Sequence, residues 1–106
     1  MLPLRVQIVC SVARALLGEV FPALRAVVCR VQSDQAFELR FVVDGPIDSQ
    51  EDSPSVVHTE VLADFPPDFD IGFVVTRVDA PARIPDDYDI AIFLRRERRP
   101  DETARE

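Results

Sequence analysis

The chain has no lysine and no tryptophan, and only one histidine, one tyrosine and three glycines in 106 residues. With His58 as the sole imidazole, acid–base or zinc chemistry would have to centre on it. Its acidic neighbour Glu60 is two positions away, and residues two apart do not share a helix face. His58 therefore reads as a surface or boundary side chain. Three scattered glycines, Gly18, Gly45 and Gly72, cannot build a phosphate-cradling loop, which excludes nucleotide binding by the known loop motifs. No G-x-S-x-G occurs, and neither cysteine has a base close to it in sequence. Cys10 and Cys29 lie inside apolar runs and read as small buried hydrophobes. Long apolar runs are missing as well: the longest uncharged stretch, Val6 to Ala13, falls well short of the ~20 residues of a spanning helix. Gln7, Ser11 and Arg14 interrupt that stretch and no small-residue cleavage site precedes Gly18, so it reads as a core helix rather than an export leader.

What is present is the composition of a single globular domain, 47% hydrophobic and 29% charged. A chain of this length buries roughly two-thirds of its unfolded surface around one core. We place that domain at residues 1–97, with 98–106 as a polar, disordered tail. Charge is unevenly distributed. Asp34 to Asp89 carries fourteen acids against Arg40, Arg77 and Arg83, a net of −11, and the remainder carries +4, giving −7 overall. A middle of this sign repels nucleic-acid phosphates and anionic membranes and attracts a basic partner. It also serves solubility alone.

The apolar spacing gives an order of elements. Leu4, Ile8, Val12, Ala15 and Leu16 recur at helical spacing, with Arg5, Ser11, Arg14 and Gly18 opposite, and Gly18 and Pro22 end the helix. Val-rich Leu24 to Gln32 and alternating Phe37, Leu39, Phe41 and Val43 form a hairpin around Ser33, Asp34 and Gln35, with Glu38, Arg40 and Asp44 on its wet face. Pro54 suits the first turn of a second helix whose core side is Val57, Val61 and Leu62, and Pro66 and Pro67 stop it. Strands follow at Ile71 to Val78 and Tyr88 to Arg95. The fold class is α+β in the order α-β-β-α-β-β: two hairpins, each preceded by a helix, in one mainly antiparallel four-stranded sheet with two helices on one face and the other face open to solvent.

Two acidic groups invite a metal reading. Asp86, Asp87 and Asp89 lack the central glycine and distal glutamate of an EF-hand and read as a solvated turn. Asp64, Asp68 and Asp70 flank the proline pair with no spacing that specifies a metal. Arg95, Arg96, Arg98 and Arg99 lack interleaved aromatics and read as a charged strand end and tail rather than a nucleic-acid site.

The runs Ala15, Leu16, Leu17, Gly18, Glu19, Val20, then Pro22, Leu24, Arg25, Ala26, Val27 resemble the opening of a group of small bacterial contact-dependent growth inhibition immunity proteins. Thr59, Glu60, Val61, Leu62, Ala63, Asp64, Phe65, Pro66 are similar to that group's second helix, and Phe93, Leu94, Arg95, Arg96, Glu97 to its close. The likeness spans most of residues 15–97 and rests on structural motifs. The chain departs from the pattern in carrying fewer glutamates over Asp48 to Asp52 and fewer acids in the Ser33 to Gln35 turn, which points to a different partner. The resemblance implies a cytoplasmic, non-enzymatic binder of one cognate toxin, a cationic nuclease, needing no cofactor or metal and touching neither nucleic acid nor membrane. Local charge density then selects Asp44, Asp48, Glu51, Asp52, Asp64, Asp68 and Asp70 as partner-binding residues. Two other classes remain: a self-associating accessory module, which would form a homo-oligomer at high concentration, and an enzyme with an unfamiliar carboxylate site, which a metal or substrate would stabilise.

Overall fold

Pro3 carries no N–H to waste at a helix start, and its carbonyl accepts the Gln7 amide at 3.0 Å. The helix α1 that follows, Leu4–Ala15, buries Ile8, Val12 and Ala15 at the expected spacing. Gly18 follows it with φ +80°, a left-handed conformation that suits glycine after a helix end. These elements belong to a computed structural model that describes residues 2–46 and 51–97; Asp48 and the 98–106 tail lie outside the described residues.

Strands β1 (Leu24–Ser33) and β2 (Ala36–Val43) form the expected antiparallel hairpin. Helix α2 (Ser53–Ala63) takes Pro54 in its first turn and buries Val57 and Val61. Strands β3 (Asp70–Arg77) and β4 (Ile90–Leu94) complete the order α-β-β-α-β-β. The fold class is as expected: two helices and one four-stranded, mainly antiparallel sheet. Its strand order is β3-β2-β1-β4.

The second hairpin does not form. β3 runs parallel to β2, from Ala36 opposite Asp70 to Val43 opposite Arg77, and β4 lies antiparallel to β1 at the other edge. The physical reason is that β2-α2-β3 is a crossover unit, which returns the chain parallel beside the strand it left. The β3–β4 connection must then cross the sheet to reach the far edge. In crossing, Val78, Ile84 and Tyr88 pack on Ala26, Val28 and Val42, so the face expected to be open is covered. Residues 24–29 of β1 are consequently buried in succession, the mark of a strand covered on both faces.

The main core lies on the helix side. Ile8, Val12, Val57 and Val61 meet Val27, Phe37, Leu39 and Phe41, and Phe65 closes one end with an edge-on contact to Phe37 at 5.2 Å. Three side chains depart from the sequence reading. Ser11 is buried because its hydroxyl donates to Asp64 Oδ2 at 2.6 Å. Leu62 is exposed, since Val57 and Val61 already span the inward stripe. Cys10 is exposed on α1, two positions from both Ile8 and Val12, whereas Cys29 is buried as expected.

Candidate functional site

Helix α2 organises the acidic residues of the chain's middle. At its start, a Glu51 carboxylate oxygen accepts the Ser53 amide at 3.2 Å. Asp52 caps through its backbone, its carbonyl accepting the Val56 amide at 3.0 Å and the Ser55 hydroxyl at 2.9 Å. Its side chain makes no capping bond and stands exposed. Glu19 adds a third carboxylate here by accepting the Ser53 hydroxyl at 2.9 Å. Acids at this end complement the positive pole of the helix.

The other end of α2 reverses that logic, and Asp64 is held there by partners from α1. It accepts Ser11 and Arg14, and the Ser11 hydrogen bond, followed by Arg14, holds its carboxyl below the usual range. Beyond the proline pair, Asp68 accepts Gln35 Nε2 at 3.1 Å and Asp70 opens β3, with its amide on the Gln35 carbonyl at 2.8 Å. Asp44 lies elsewhere, at the end of β2, where it pairs with Arg95 at 3.2 Å and accepts the Ala80 amide at 3.2 Å.

The six described candidates therefore fall in three places. Glu51 and Asp52 adjoin one another; Asp64, Asp68 and Asp70 share the opposite end of α2. The 11-residue helix sets these groups ~16 Å apart. Asp44 belongs to a third, arginine-rich cluster. Asp48 lies outside the described residues.

That third cluster centres on a residue absent from the candidate set. Arg25 is the extra residue of a β-bulge, because Leu24 pairs with Val43 and Ala26 with Val42. Its side chain, 3% exposed, donates to both Glu97 oxygens at 2.7 and 2.8 Å and to the Val78 carbonyl at 2.7 Å. Arg95 joins through Glu97 at 2.8 Å, and Arg77 pairs with Asp79 at 2.8 Å close by. The Arg25 hydrogen bond, with Arg95 beside it, pulls the Glu97 carboxyl down to about 2. Asp79 is likewise drawn to about 2, first by Arg77 and then by the Gly45 amide. The sequence signal was an arginine inside the otherwise apolar run Leu24 to Val28.

The remaining polar motifs are structural. His58 Nε2 lies 2.6 Å from the Ile71 carbonyl and its ring sits 4.6 Å from that of Phe73, so it joins α2 to β3 as a boundary residue. Asp86 pairs with Arg83, Asp87 with Arg40, and Asp89 accepts the Val31 amide. Among the described residues no three metal-ligating side chains converge. Burial pushes the Cys29 thiol up to about 12, far from a nucleophilic thiolate.

An apolar groove of about 260 Å³ opens beside the start of α2. Phe21, Val43, Pro54, Phe73 and Val75 form its walls, and Glu51 is the charged residue among its described lining. Phe73 is 38% exposed on the helix side of the edge strand, where its ring meets His58 of α2 and Phe41 of β2. No helix among the described residues is long and apolar enough to cross a membrane.

Carboxylates stand at both ends of α2 in this α+β domain, and the apolar groove adjoins the first of them. The family model of the MafI2 immunity protein matches residues 5–97, and the chain belongs to that family of immunity proteins. Membership implies toxin neutralisation and a cognate toxin as partner, and it bears out the resemblance to the immunity proteins of polymorphic toxins. No curated protein matches the chain.

Proposed function

We propose that this chain acts in the cytoplasm as the immunity partner of a basic toxin domain, a nuclease, which it neutralises by binding and occlusion. The family match over residues 5–97 carries the reading. The charge distribution supports the basic partner: a chain of net −7 with its acids concentrated between Asp34 and Asp89 steers a cationic protein toward it. Within the candidate set, Glu51, Asp52, Asp68 and Asp70 are the steering residues. Asp44 and Asp64 hold the fold through Arg95 and through Ser11 with Arg14, and so have less charge to offer a partner. Buried anchors at the centre of the interface would set slow dissociation.

The test is a charge reversal at Glu51, Asp52 and Asp68 together, with association to a candidate toxin domain drawn from this chain's gene neighbourhood followed by stopped flow. The association rate should fall on the order of tenfold or more, and its dependence on salt should flatten. An unchanged rate and salt dependence would remove these residues from the site.

A further inference from the structure

We infer that the groove at the start of α2 is the anchor site for a lysine or arginine of the toxin, with the aliphatic stem on Phe73 and Val75 and the cationic head at Glu51. This deepens the immunity reading and rests on it.

Size narrows the occupant. Small-molecule sites run to about 300–1,000 Å³, and the groove, at about 260 Å³, fits one long side chain better than a cofactor. Wall chemistry narrows it further. The walls named above are aromatic, aliphatic or proline, with one carboxylate at the lining, an arrangement that suits a side chain with an apolar stem and a charged tip. A purely aliphatic anchor would leave Glu51 desolvated and without a counter-charge, at a cost of several kcal/mol for a fully buried ion.

Charge complementarity fixes the sign. The positive pole of α2 is worth about half an elementary charge and by itself disfavours a cation. Glu51, Asp52 and Glu19 crowd that pole with three carboxylates, and among the described residues Glu51 accepts the Ser53 amide through one oxygen. Arg77, at the end of β3, is engaged by Asp79, and Arg95, which donates to the Pro22 carbonyl, by Asp44 and Glu97. The local field therefore favours a cation, and a charge-assisted hydrogen bond, stronger than a neutral one, rewards it.

Two variants separate the parts of the proposal. Ser55, exposed in the first turn of α2, lines the same groove, so Ser55→Phe fills it without touching the core. Glu51→Gln keeps the shape and removes the charge. Affinity for a candidate toxin domain drawn from this chain's gene neighbourhood would be measured by calorimetry, with circular dichroism and Tm as folding checks and Arg83→Gln, 87% exposed in the β3–β4 connection, as the control. Both groove variants should raise Kd about tenfold or more, as expected for a central anchor, while the control binds like wild type. Loss with Ser55→Phe but not Glu51→Gln overturns the cationic occupant. Wild-type affinity in both variants overturns the groove while leaving the immunity reading intact. Failure of the unaltered chain to bind the toxin overturns that reading and this inference with it.

Discussion

Arg25 shows how one residue can tie a fold's edges together. It is displaced from the β1 ladder by the bulge and spans to Glu97 after β4 and to the Val78 carbonyl after β3. Truncating Arg25 removes three hydrogen bonds while Glu97, 28% exposed, keeps Arg95, and hydrogen bonds to charged groups contribute about 1.5–3 kcal/mol each. Arg25→Ala should therefore lower the unfolding free energy by about 3 kcal/mol in urea titration, and a loss below ~0.5 kcal/mol would show that the cluster is incidental. The same cluster sets an acid limit. Glu97 titrates at about 2 in the fold against an ordinary value of 4.5. A depressed carboxyl stabilises the fold fully above its unfolded value and loses that contribution as pH falls through the folded one. Stability should decline between about pH 4.5 and 2, and Glu97→Gln should flatten the decline in part, Asp79 and Asp64 contributing as well. A Glu97→Gln chain with an unaltered acid profile would contradict this origin.

At the scale of elements, the connection from β3 to β4 does the work of a third layer. Val78, Ile84 and Tyr88 seal Ala26, Val28 and Val42 from water. Ile84→Ser should destabilise the domain by on the order of 1–2 kcal/mol and raise binding of a hydrophobic dye, whereas an open sheet face would tolerate it. The outcome at this scale also shows what was legible beforehand. Alternation in Phe37 to Val43 assigned the inner face correctly, and Val57 and Val61 marked the buried side of α2. Alternation specifies a face but not a neighbour, so it could not show that Ile71 to Val75 pairs with β2 rather than with β4. Connection length held the missing information: residues 78–89 are too many for an ordinary hairpin loop of about 2–5 residues, and are what a crossover of about a dozen requires. Ser11 and Cys10 failed for a different reason, because a helical stripe read by residue type misses a buried hydroxyl satisfied by a carboxylate 53 positions away.

At the scale of the whole molecule, acidic density along the chain did not translate into one acidic patch. Folding sends Asp44 into the Arg25 cluster, ties Asp64 to α1, and places Glu51 with Asp52 at the opposite end of α2 from Asp68 with Asp70. Sequence proximity could mark the acids but not their intramolecular partners, since Arg95, Ser11 and Arg14 all lie far away in the chain. Under the proposed function, two separated acidic groups and an apolar groove by one of them would set a cationic partner's orientation as well as its approach rate. The proposed partnership with a basic toxin is tested most directly by mixing the purified chain with a candidate toxin domain drawn from its gene neighbourhood and following both complex formation and toxin activity at physiological salt. The account predicts a one-to-one complex that abolishes the activity and weakens as salt is raised; a toxin that stays fully active, with no complex at micromolar concentrations, would contradict it.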